Sequence, residues 1–208
     1  MKRRSFFQRL FGREPVVDAS LLAIQVVLAE YAIPNLRSQL HLMIDDPYAA
    51  PGDQTPEQRQ TFYRRIVGLL GQCEPYFDYA CVEYVPGRHD AHEAFREWVA
   101  DIEASIAIED TELGEDVDGM RRFTAEKRYI AVTILLVAGH GIEEGEVVDP
   151  DADALSRTDV ADLLRAVNRI QWDRLEADAI YLVPGNDEDG FSEMDLADED
   201  WAHLLPVS

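Results

Sequence analysis

The chain has 208 residues, 47% of them hydrophobic, which is enough for a single domain with a substantial core. Acids outnumber bases 41 to 19, for a formal net charge of −22, yet the first thirteen residues carry five of the bases and no acid. The body that follows keeps 14 of the bases and all 41 acids; it repels phosphates, so direct nucleic-acid binding, which depends on Lys and Arg displacing counterions, is disfavoured.

Residues 2–13, KRRSFFQRLFGR, form a basic amphipathic tail within segment 1–16. On a helix, Phe6, Phe7, Leu10 and Phe11 share one face, and Arg3, Arg4, Arg9 and Arg13 lie mostly elsewhere. Residues 17–208 read as one acidic domain. Leu21 to Glu30 is rich in Val, Ile and Leu and predicts a buried strand, with a helix as the competing reading. A helix follows Pro34, striped by Leu36, Leu40, Met43 and Ile44. Residues 45–53 read as a loop. Thr55-Pro56-Glu57-Gln58 then predicts a helix start, with Thr as cap, Pro in the first turn and Gln reaching back; the helix runs to a stop at Gly71.

Tyr76 to Val85 predicts a strand or an irregular segment. Asp90-Ala91-His92-Glu93 reads as a second capping box, opening a helix that buries Phe95, Trp98, Val99, Ile102 and Ile106. Residues 110–125 read as a charged connector. Tyr129 to Ala138 is a near-continuous apolar run, expected of a central strand covered on both faces. Thr158 is expected to cap a helix with Val160, Leu163, Leu164 and Val167 inward; Ala177 to Val183 is the next strand, and Ser192 caps a short last helix. This strand–helix–strand order predicts a parallel β-α-β unit with a right-handed crossover. The fold class expected is therefore α/β (or α+β): one mixed sheet with helices packed on it.

Several clusters resemble chemical sites. His89 and His92, three apart, suggest a metal pair, but they match no zinc-protease order, and Asp90 and Glu93 already serve as caps. Asp149, Asp151 and Asp153 alternate like the start of a calcium loop, yet Ala154 stands where the glycine is needed and Val160 where the closing acid is needed. Gly139-His140-Gly141 follows a strand end, where ligands often bind, but Glu143, Glu144 and Glu146 repel phosphate. His140 alone reads as a surface turn or a lone acid–base group. Cys73 and Cys81 read as free thiols of a reducing cytosol. No stretch reaches the roughly 20 apolar residues of a membrane span, and Gln8 and Arg9 split the apolar centre that a signal peptide needs. A cytoplasmic protein, or one peripheral on the inner face of the membrane, is expected.

The last eighty residues carry a pattern: Tyr129-Ile-Ala-Val-Thr133, Asp162-Leu-Leu-Arg-Ala166, Asp173-Arg-Leu175, Ala179-Ile-Tyr-Leu-Val-Pro184 and Leu204-Leu-Pro-Val207. It resembles a domain-of-unknown-function family known from cyanobacteria and plastids, family 1517, most clearly over 126–207. Weaker matches run through Ile24 to Glu30 and Ala91 to Phe95. The resemblance implies membrane association without established enzymatic chemistry, and it transfers no functional residues. The hydrophobic anchor usual in that family is absent here, and the basic aromatic tail stands as a weaker, reversible substitute.

The expected function is therefore a non-enzymatic interaction or regulatory protein, with no cofactor. It would be held to a protein partner or an anionic membrane surface by Arg3, Arg4, Phe6, Phe7, Leu10 and Phe11. Two alternatives stand beside it: an acidic, immunity-like inhibitor of a basic protein, and a metal-dependent or acid–base enzyme using His89, His92 or His140.

Overall fold

A computed structural model describes residues 17–44, 54–112, 129–142, 153–184, 190–197 and 201–208. Its frame is a five-stranded sheet of β1 (Ser20–Ala29), β2 (Phe77–Pro86), β3 (Tyr129–Ala138), β4 (Leu175–Val183) and β5 (Leu205–Pro206). The spatial order is β4-β3-β1-β2-β5, and every pairing is antiparallel. β1 lies at the centre and is buried along its whole length, as its apolar run requires. β3 pairs with it residue for residue from Ser20↔Ala138 to Ala29↔Tyr129.

Side chains alternate between the two faces of the sheet. Leu22, Ile24, Val26 and Leu28 join Ile130, Val132, Ile134 and Leu136 on one face. That face is covered by α1 (Leu36–Ile44), α2 (Pro56–Gln72) and α4 (Arg157–Val167), through Leu40, Tyr63, Ile66, Leu70, Val160 and Leu164. Leu21, Ala23, Leu135 and Val137 occupy the other face beneath α3 (Arg88–Glu112), which lays Ala91, Phe95 and Val99 on them. Further along that face, Val27, Ala131 and Val183 meet Ile102 of α3 and Phe191 and Leu196 of the C-terminal segment. The small residues Ala23, Ala131, Ala177 and Ala179 let a single long helix approach closely.

The start of α2 carries the expected capping box. The Thr55 hydroxyl accepts from the Gln58 amide at 3.3 Å, and the Gln58 side chain accepts from the Thr55 amide at 2.8 Å. The expected box at Asp90 is not a helix start. β2 and α3 are joined by one residue, Gly87, at φ 102°, a conformation that favours glycine, and the helix opens at Arg88. Asp90 lies inside its first turn, where a carboxylate favours the helix dipole. The helix extends to Glu112, so the first residues of the expected connector are helical, and 113–125 lie outside the described residues. Ser156, not Thr158, holds the N-cap position of α4, and its side chain makes no capping bond.

The expected parallel β-α-β unit is absent, because β3 and β4 are antiparallel. β3 finishes at the end of the sheet where Ser20 and Pro86 lie. By Leu155 the chain has reached the opposite end, where it bridges Val207 beside the start of β2. α4 then carries it back, and the Gly139 amide donates to the Arg174 carbonyl at 2.7 Å just before β4 begins. The connection crosses the sheet out and back, so the next strand must run in the opposite sense. The α+β alternative holds, in one domain.

Candidate functional site

Three polar assemblies interrupt this apolar frame. The first closes the end of the sheet where β1 begins. Arg88 bridges Asp18 (Nε to Oδ2, 3.5 Å) and the Glu176 carboxylate of β4. His92, one turn along α3, places Nε2 3.0 Å from the other Glu176 oxygen. The hydrogen bond from His92, then the Arg88 guanidinium, hold the Glu176 carboxyl below its usual range. Gly139 leaves room beneath it: a Cβ there would lie 2.8 Å from Glu176 Oε1 and 3.0 Å from the Arg174 carbonyl, so a larger residue would crowd the cluster. His140 occupies the adjoining turn, with Nδ1 2.7 Å from the Gly141 carbonyl and Nε2 3.3 Å from the Gln171 amide. This pattern suits a neutral ring with Nδ1 donating and Nε2 accepting. Ser20 Oγ donates to the His140 carbonyl at 2.8 Å. His140 thus ties the exit of β3 to the entry of β4.

The structure separates the two histidines that the sequence offers as a metal pair. His92 turns toward β4, and His89, 80% exposed, lies 3.8 Å from Glu93. Ligand atoms of His89, Asp90 and Glu93 do come within 4.8 Å of one another, but all three residues are exposed on one helical turn. Among the described residues, no buried group orients them as the partners of a metal site do.

The second assembly lies along β4, the edge strand. A groove of ≈ 390 Å³ runs beside it, walled by Phe62 and Tyr63 of α2 on one side and Phe95 and Val99 of α3 on the other. Ile180 and Asp178 supply part of its floor. The Asp178 side chain, 8% exposed, accepts from the Tyr63 hydroxyl at 3.1 Å and lies 3.4 Å from Arg59 Nη1. Burial lifts its carboxyl above the ordinary value, against the opposing pull of Arg59 and the Tyr63 bond. Tyr63 stacks on Trp172 at a centroid distance of 5.2 Å, which fixes its ring.

The third assembly lies at the middle of the α3-covered face. Gln25 of β1 and Thr133 of β3 stand opposite each other, and Gln25 Nε2 donates to Thr133 Oγ1 at 2.9 Å. His203 reaches in from the C-terminal segment, with Nε2 2.7 Å from Gln25 Oε1. Its ring stacks on Trp201 and meets the edge of Trp98. The second and third assemblies were not foreseen from sequence. Their signals are single polar residues inside strand patterns: Gln25 in LLAIQVVLAE and Asp178 in ADAIYLV. Cys73 and Cys81 are free thiols, and burial pushes both up to about 11, away from the reactive thiolate. The six tail residues Arg3, Arg4, Phe6, Phe7, Leu10 and Phe11, and the acidic runs at 149–151 and 187–189, lie outside the described residues.

The molecule is thus an α+β domain whose antiparallel sheet is helix-covered on both faces and grooved along one edge. The chain belongs to the family described as "Protein of unknown function (DUF1517)", whose model matches residues 18–207. The resemblance carried by the last eighty residues therefore extends across the domain, and segment 2–13 falls outside it. No curated protein and no solved structure matches the chain. Among the described residues, no helix is long and apolar enough to cross a membrane.

Proposed function

We propose that the protein is a non-enzymatic interaction protein whose basic aromatic segment 2–13 attaches it to an anionic membrane surface. The observation that carries this reading is the position of that segment. It precedes both β1 and the family match at residue 18, so its four phenylalanine and leucine side chains and five basic residues add to a domain that is otherwise strongly acidic. Arginines near anionic headgroups and aromatics at the acyl boundary give reversible attachment, and a −22 chain needs such a local reversal of charge to approach a negative surface. The polar assemblies support a non-catalytic body. His92 and His140 hold β4 and its entry turn in place.

Co-sedimentation with vesicles containing about 30% phosphatidylserine tests this. The full chain should pellet with them and lose most of that binding at 0.5 M salt. The full chain carrying Arg3→Glu, Arg4→Glu and Phe7→Ser should bind at least about tenfold less. Equal binding by both chains, or none by either, would sink the membrane attachment.

A further inference from the structure

The groove along β4 has walls contributed by both faces of the sheet, and among the described residues the outer edge of β4 pairs with no strand. An edge so placed offers unpaired backbone groups between two apolar rails. We infer that the occupant of this groove is the protein's own segment 2–13, docked there when the segment is not engaged elsewhere. The inference rests on the attachment role just proposed for that segment.

Three observations point to this occupant. The described chain begins at Val17, and the next residue, Asp18, is held by Arg88, which also holds Glu176, the second residue of β4. The segment therefore enters the domain at the end of the sheet where β4 begins, two strands in from that edge. Sixteen residues precede that point; extended, they span roughly 50 Å, more than the roughly 30 Å of a nine-residue strand. A segment reaching back along β4 from Val17 runs antiparallel to it, the sense of every other pairing in this sheet.

Charge supplies the third. The segment carries five bases and no acid, against 14 bases and 41 acids in the remainder. Phe6, Phe7, Leu10 and Phe11 match the apolar rails of Phe62, Phe95 and Val99, and the arginines meet a body in which acids outnumber bases 41 to 14. Docked, the segment is withheld from a membrane; a negative surface competes for the same arginines and aromatics, so attachment uncovers the edge of β4.

Hydrogen exchange read by mass spectrometry on the full chain tests the docking. The amides of β4 that do not bond to β3 should exchange at least about fivefold faster in Phe7→Ser/Phe11→Ser than in the natural chain, with β1 unchanged. These substitutions lie outside the sheet, so the body stays folded. Unchanged β4 exchange would overturn the inference, and so would protection that grows with protein concentration, the mark of a second copy on the edge. Anionic vesicles added to the natural chain should raise β4 exchange to the level of the variant. A chain that ignores vesicles but whose β4 responds to the tail substitutions would keep the docking and discard the membrane reading.

Discussion

Gln25 and Thr133 form a directly opposed pair on the two central strands, 4% and 0% exposed, where an apolar pair would pack without any hydrogen bond. Their bond satisfies a buried amide, so removing one partner costs more than removing both. Thr133→Val keeps the side-chain shape and leaves Gln25 Nε2 without its acceptor; it should destabilise the fold by about 1–3 kcal/mol. Adding Gln25→Leu should recover part of that loss, because the partner it leaves behind, His203, is itself exposed and can turn to water. Urea unfolding of the two single variants and the double variant measures the coupling, and strict additivity would refute it. Asp178 is the other buried polar choice. Burial raises its carboxyl, so the folded state binds a proton more readily than the unfolded chain. The stability this contributes is complete below the ordinary aspartate value of about 3.9 and is lost as pH climbs through the raised folded value. Relative to Asp178→Asn, the natural chain should therefore lose stability as pH rises from about 4, in urea unfolding followed at several pH values. A gap that stays constant with pH would show that burial does not dominate at this site.

At the scale of elements, the clearest signals were those carried by local bonding. Thr55, Pro56 and Gln58 act within one helical turn, and the helix starts where they place it. Thr55→Ala removes the acceptor for the Gln58 amide and should cost about 1 kcal/mol, read as a lower unfolding midpoint with an unchanged urea dependence. A change in that dependence would mean that the substitution alters more than the cap. The Asp90 motif has the same letters but lies three residues too late, because a single glycine with positive φ already turns the chain into the helix at Arg88. Strand sense was the harder inference. The apolar run of β3 reports that both faces are covered, a condition parallel sheets always meet and this antiparallel sheet meets as well. Direction depends on how often the connection crosses the sheet, and the positions of Ile142 and Leu155 at opposite ends decide that. No local residue pattern encodes it.

The polar assemblies belong to the whole molecule, which is why the sequence reading found them only in part. Gln25 and His203 are 178 residues apart, and Tyr63 and Asp178 are 115 apart. No spacing rule connects them, although Gln25 stands out as the polar residue of an apolar run. Charge, in contrast, is read directly from composition, and it makes a prediction about the fold as a unit. A chain of net charge −22 repels itself, and added salt screens that repulsion within a Debye length of about 10 Å at 0.1 M. Salt also weakens the attractive pairs, among them Arg88 with Asp18 and Arg165 with Glu74 and Asp162, but these are exposed and individually worth little. Repulsion should therefore dominate. The melting temperature should rise between about 0.01 M and 0.5 M sodium chloride, by roughly 2–4 °C for each kcal/mol of repulsion removed, as expected for a chain of this size. Scanning calorimetry across that range decides the balance. A melting temperature that falls with salt would mean that the ion pairs closing the end of the sheet outweigh the excess acid.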